Sequence, residues 1–122
     1  MKPGKKGLAR IADAAGYSIR GIRDCWRFEA AFRQEVALCI ALFATSFFVA
    51  NTLEQWLILV SPLFLLLMVE LLNSAVENVV DRIGDDHNVL SGRAKDMASA
   101  SVFFCLVLIA LCWFTIAWSN FA

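Results

Sequence analysis

The sequence predicts an all-α, polytopic membrane protein: three transmembrane helices preceded by an amphipathic helix on the membrane surface. Three observations lead there. Hydrophobic residues make up 60% of the 122-residue chain and charged residues only 18%, respectively above and below the shares of ordinary soluble domains. Apolar runs long enough to approach or exceed the thickness of a bilayer alternate with short polar stretches. The basic residues fall on one side of those runs only, which is how membrane helices are oriented. No linker, internal repeat or low-complexity stretch divides the chain, so residues 1–122 read as a single integral-membrane domain. A formal net charge of zero gives no reason to expect a nucleic-acid partner.

The surface helix is predicted over about residues 8–27. Leu8, Ile11, Ala15, Ile19, Ile22 and Trp26 recur at steps of three and four, with Arg10, Asp13, Arg20, Arg23, Asp24 and Arg27 largely off that stripe. Gly16 and Gly21 weaken the helix and are expected to bend it. The bland alternative is a basic segment that merely anchors the chain. MKPGKKG at the start leads into this amphipathic stretch rather than into an apolar core with a cleavage site, which argues against a removable signal peptide.

The first span is expected over about residues 29–50. Its strictly apolar part, Val36 to Ala50, is short, so the helix is predicted to begin near Glu29, with Arg33 and Glu35 reaching back toward water. The second, about residues 53–80, contains Pro62 near one end, where a kink supported by neighbouring helices is expected. The third, about 97–118, carries no charge and is long enough to cross roughly 30 Å of hydrocarbon at about 1.5 Å per residue. Lys2, Lys5, Lys6, Arg10, Arg20, Arg23, Arg27 and Arg33 precede or open the first span, and Arg82, Arg93 and Lys95 lie between the second and third. The short segment 51–55 and the tail 119–122 have no basic residue. The positive-inside rule therefore places the N-terminus in the cytoplasm and the C-terminus outside. Cys25, Cys39, Cys105 and Cys112 show no metal-ligand or redox spacing and read as small hydrophobes.

The second span poses the functional question. In VELLNSAVENVVDR, Glu70 and Glu77 are seven residues apart and share one helix face, with Asn73 and Ser74 between them and Asp81 a turn beyond. A carboxylate in hydrocarbon costs roughly 2.5 kcal/mol or more, which makes Glu70 a functional candidate by default. A helix entering at Leu53 runs out of hydrocarbon near Asn73, so Glu70 lies just inside the boundary and Glu77 roughly 10 Å nearer water. The desolvated carboxylate suits proton abstraction from a lipid-borne group, and the hydrated one suits a hard cation such as Mg²⁺. Glu29 lies at a depth similar to Glu77 and could complete a metal site. The polar stretch DRIGDDHNVLSGRAKDM, predicted as the loop ahead of the third span, adds Arg93, Lys95 and Asp96, suited to phosphates and to ribose or adenine groups. No Walker or dinucleotide glycine pattern occurs. Against this stands a structural reading in which the glutamates are interhelical polar contacts, Glu29 and Arg33 an i,i+4 pair, AKD a solvated helix start and His87 a surface residue.

The segments AAGYS (Ala14 to Ser18), EAAFRQE (Glu29 to Glu35), VELLNSAVENVVDRIG (Val69 to Gly84) and LSGRAKDMASA (Leu90 to Ala100) closely resemble the prokaryotic family of integral-membrane diacylglycerol kinases. The resemblance runs from about Arg10 to Trp118. It implies a homotrimer with active sites shared between subunits in the bacterial inner membrane, phosphorylating diacylglycerol with MgATP to give phosphatidic acid. It implies Glu70 as catalytic base with Asn73 beside it, Glu29 and Glu77 as carboxylates for Mg²⁺, and Arg10, Tyr17, Lys95 and Asp96 as nucleotide contacts. Asp86, His87 and Asn88 stand where the family often has an E-Y-H-like triplet, so the acidic residue is kept in kind and the other two differ. Lipid contacts are implied first along the surface helix, at Ala14, Ala15, Gly16, Ser18 and Ile19, and again at Arg23, Asp24, Cys25 and Trp26. They continue through Ala31, Phe32, Arg33, Gln34 and Glu35, then at Phe48, Val49, Ala50, Asn51 and Trp56. Ser99 and the run Trp113, Phe114, Thr115, Ile116, Ala117 and Trp118 complete the set. Two alternatives remain open from sequence: an undecaprenol kinase of the same family, and a non-catalytic proton-conducting or assembly subunit using Glu70 as a buried polar contact.

Overall fold

A computed structural model describes Gly4, residues 6–84 and residues 86–122; Lys2 and Lys5 of the basic N-terminal run lie outside the described residues. Four helices follow one another: α1 (Leu8–Phe28), α2 (Ala30–Val49), α3 (Leu53–Ile83) and α4 (Val89–Phe121). The last three are long and apolar enough to cross a membrane, so the chain is a three-span helical protein with an N-terminal helix.

Gly7 begins α1 at φ 63°, a conformation that glycine adopts without steric cost. The helix then runs unbroken through Gly16 and Gly21, where the sequence predicts bends. A helical glycine costs about 1 kcal/mol against alanine, and two of them do not interrupt a 21-residue amphipathic helix. Its apolar stripe of Leu8, Ile11, Ile19, Ile22 and Trp26 is exposed, the surface a helix lying on lipid presents. A single extended residue, Glu29 (φ −117°, ψ 107°), separates α1 from α2. Arg33 is exposed there, as expected of a side chain reaching back toward water. Its guanidinium donates to the carbonyls of Trp26 (2.7 Å) and Arg27 (3.2 Å), satisfying groups that the end of α1 leaves unpaired.

Starting at Ala30 gives α2 20 residues, about 30 Å of rise and enough to span. Thr52 caps α3 by accepting from the Gln55 N–H at 3.1 Å. Pro62 is buried inside an α3 that continues on both sides of it. Neighbouring helices supply polar contacts on either side of this position. Trp113 Nε1 donates to the Leu59 carbonyl at 3.0 Å, and the Cys39 thiol contacts the Leu63 carbonyl at 3.5 Å. Asn88 starts α4, accepting from the Leu90 and Ser91 N–H groups. The helix thus begins eight residues before the charge-free run at Met97, and Arg93, Lys95 and Asp96 are helical rather than in a loop.

α3 is the central helix, packed chiefly against α4 and then α2. The core joins Cys39 of α2, Leu63 and Leu66 of α3, and Val102, Cys105 and Ile109 of α4. All four cysteines are free thiols, three of them buried, as small hydrophobes are. The end of the bundle away from the acidic face is closed by amides. Asn120 donates to the Val49 carbonyl (2.7 Å) and Gln55 Oε1 (2.8 Å), and Gln55 Nε2 donates back to Asn120 Oδ1 (3.3 Å).

Candidate active site

The acidic face of α3 forms a graded row. Glu70 is 3% exposed, Asn73 and Ser74 are buried, Glu77 is half-buried and Asp81 is exposed. Seven residues bring Glu77 back under Glu70 because two helical turns take about that many, and Asn73 fills the gap between them. Its Nδ2 donates toward Glu70 Oε1 (3.5 Å) and to Glu77 Oε1 (3.3 Å). One amide therefore holds both carboxylates, while its own oxygen is buried without a partner. The polar continuity that the spacing predicts is a physical contact.

Three other helices bring groups to the row. From α2, Glu35 turns its carboxyl to Glu70, with Oε2 buried and unpartnered. From α1, the Cys25 thiol contacts Ser74 Oγ at 3.5 Å. Burial pushes the Cys25 thiol above its ordinary value, against the Ser74 hydrogen bond, and the charges of Glu29, Glu70 and Glu35 push it the same way. From α4, Lys95 pairs with Asp81 at 2.6 Å.

Two open grooves flank α1 where it meets α3. One, of about 510 Å³, has a mixed lining: Ser18, Asp24, Cys25 and Glu29 beside Ile22 and Phe28 on the α1 side, and Ser74 and Asn78 beside Leu71 and Ala75 on α3. The other, of about 530 Å³, is apolar apart from Arg23, with Ile19, Ile22 and Trp26 of α1 facing Phe32 and Val36 of α2 and Leu67 of α3. A cleft of mixed lining, carrying the charged Asp24 and Glu29, thus lies beside an apolar one at the level of the acidic row, an arrangement suited to a substrate with one wet and one greasy part.

The structure gathers some sequence-derived candidates and separates others. Glu70, Asn73 and Glu77 are one hydrogen-bonded unit, and Glu29 lines the mixed groove that Ser74 also lines. Among the described residues, no group of three or more His, Cys, Asp or Glu is arranged to hold a metal ion, so any cation here relies on the carboxylates and on its own ligands. Arg10 and Tyr17 are exposed on α1, with the Arg20 guanidinium 4.9 Å from the Tyr17 ring. Asp86 and His87 are exposed; Asn88 is occupied as the α4 cap. Ser99 and Asp96 are exposed on α4 near Lys95. Arg33 is engaged by the α1 terminus. Phe48, Val49, Ala50, Asn51, Trp56 and the stretch from Trp113 to Trp118 lie at the amide-closed end, about 20 Å along α3 from Glu70. They are not brought to the acidic row.

Periodicity along one helix could not show which residues meet between helices. The facing of Glu35 and Glu70 and the pairing of Asp81 with Lys95 are of that kind. Asn88 did carry a readable sign, since Asn just ahead of a helix is a capping residue.

Comparison with known proteins agrees with this architecture. The family model described as prokaryotic diacylglycerol kinase matches residues 16–117. The chain is similar to the diacylglycerol kinase of Escherichia coli K12, 45% identical over 116 residues covering 94% of each chain. It is also similar to that of Haemophilus influenzae, at 42% over 107 residues, covering 88% of this chain and 91% of the relative. The Helicobacter pylori 26695 protein is 37% identical over 113 residues, covering 93% and 88%. A match through the surface helix, all three spans and the acidic row, with nearly full-length relatives, shows that this chain belongs to the prokaryotic diacylglycerol kinase family.

Proposed function

We propose that this chain transfers the γ-phosphate of MgATP to the free hydroxyl of diacylglycerol, giving phosphatidic acid at the membrane surface. The observation that carries the reading is the graded carboxylate row, with Glu70 buried, Glu77 half-buried, and one asparagine bonded to both. In-line phosphoryl transfer must bring a lipid alcohol and a water-borne nucleotide to one place, and such a row extends from one medium to the other. Glu70 accepts the hydroxyl proton as the oxygen attacks, and Asn73 keeps that carboxylate aligned. The apolar groove beside α1 receives acyl chains, and Glu29, at the edge of the mixed groove, faces the phosphate side.

Mg²⁺ supplies charge neutralisation on the phosphates when bound. The chain's donors suit it: hard oxygen ligands on Glu29 and Glu77, with phosphate completing the shell, as this ion usually takes only one or two protein carboxylates. Lys95 and Asp96, with Arg10 and Tyr17, hold the nucleotide. Charge bias along the sequence supports an N-terminus in the cytoplasm of a bacterial inner-membrane protein, where ATP is available. The exposed apolar faces of the bundle are in keeping with lipid contact and with a homotrimer in which neighbouring copies complete each site.

The direct test is transfer of labelled phosphate from ATP into extracted lipid by the purified protein, with diacylglycerol and undecaprenol as parallel acceptors. Label in phosphatidic acid alone supports the proposal. Label in polyprenyl phosphate alone moves the chain to the other lipid alcohol, and no lipid-dependent ATP turnover removes catalysis altogether.

A further inference from the structure

The ion pair between Asp81 and Lys95 is not explained by the stability of the fold. The side chains are 63% and 43% exposed, and pairs so open to water contribute little to folding. Helix electrostatics does not explain it either. Asp81 lies in the last turn of α3, at the negative end of that helix, where a carboxylate is disfavoured. Lys95 lies in the second turn of α4, near the end where a cation gains nothing from the helix dipole.

The location of the pair suggests its use. Asp81 is the last acidic position on the α3 face that carries Glu70, Asn73 and Glu77. Lys95 reaches that face from a different helix, and the charge of Glu77 also acts on it. The contact ties α3 to α4 across the linker 84–88. An ammonium group has three N–H donors, so a bond to one carboxylate leaves others for phosphate oxygens. A lysine stem without such a tether must be ordered when the nucleotide binds, at a cost in affinity.

We propose that Asp81 is a positioning residue: it holds the Lys95 ammonium over the carboxylate row, so that the phosphate chain of the nucleotide is received in line with Glu70. This rests on the lipid-kinase reading above and assigns a role to a residue outside the catalytic, metal and nucleotide contacts already named. Asp81 touches neither substrate. It acts through Lys95, and it fixes where along α3 the transferred phosphoryl group lies.

The test uses the full-length protein in lipid-containing micelles, with the Kd of a non-hydrolysable MgATP analogue measured beside KM and kcat. Asp81→Asn is expected to raise the analogue Kd and the KM for MgATP about fivefold, on the order expected for ordering one long side chain, and to leave the KM for diacylglycerol unchanged. Asp81→Glu, which retains the carboxylate, is expected to recover most of that affinity. In a Lys95→Ala background the Asp81→Asn change should have almost no further effect on the analogue Kd, because the group it positions is gone. Wild-type affinity for Asp81→Asn would reduce the pair to an inert surface contact. An equal loss in both backgrounds would make Asp81 a direct ligand of the metal or nucleotide and overturn the positioning role. Should Lys95→Ala itself bind the analogue like wild type, the Lys95 assignment fails, and this proposal with it, while labelled phosphate transfer would still report on the kinase reading separately.

Discussion

Replacing Glu70 by Gln isolates one property of the site. The amide has nearly the shape of the carboxyl and keeps an oxygen to accept from Asn73, which now donates toward Glu70 at 3.5 Å, so the row should survive. What is lost is the ability to accept a proton. General-base catalysis contributes about 10²–10⁴-fold, equivalent to roughly 2.7–5.5 kcal/mol of barrier. Glu70 is only 3% exposed, so bulk water has little access to replace it. The expected result is a fall in kcat of at least about 100-fold, with the analogue Kd for MgATP near wild type and thermal stability in detergent little changed. Initial rates with saturating MgATP and diacylglycerol, run beside a melting curve, measure both. Turnover within about tenfold of wild type in a folded variant would refute the base assignment, because no general base worth its name is so dispensable.

Glu77→Gln should weaken the apparent Mg²⁺ affinity as well as the rate, since its proposed partner is a cation; Mg²⁺ titrations that overlay the wild type would remove the metal role. Lys95→Arg should keep expression and assembly yet lose most phosphoryl transfer. The wider planar guanidinium does not reproduce a compact ammonium tethered at 2.6 Å, and near-normal transfer would make Lys95 a simple helix-end anchor. With the native cysteines removed, a cysteine introduced at Ser119 should react with an impermeant reagent from outside intact cells, and one at Asp86 should not. The reverse labelling would invert the orientation and put the acidic row out of reach of cellular ATP.

How much was legible depended on whether a feature lay within one helix or between two. The apolar runs and the spacing of Glu70, Asn73 and Glu77 are properties of a single helical period, and α3 realises them as a bonded row. Helix ends were harder. The apolar pattern puts the third span at about residue 97, but a cap formed by Asn88 extends α4 back to Val89, because polar residues can be helical where a helix leaves the membrane. Glu35 shows the same limit in side-chain terms. Its charge suggests a reach toward water, as the exposed Arg33 makes beside the end of α1, yet one oxygen of the Glu35 carboxyl is buried against the bundle. Pairings such as Asp81 with Lys95 depend on how α3 and α4 approach one another, and no periodicity within either helix records that.

The bonded row on α3 has a consequence for how this chain can change in length. Inserting or deleting one residue between Glu70 and Glu77 would turn everything beyond it by about 100° around the helix axis and shift it by about 1.5 Å. Asn73 could no longer bridge the two carboxylates it now joins, and Asp81 would leave the side that faces α4. Substitution can adjust this segment, but its residue count is fixed by geometry. The linker 84–88 between α3 and α4 carries no such phase and can absorb added residues at little entropic cost, so tolerated length variation should collect there and be absent from the α3 segment between its two glutamates.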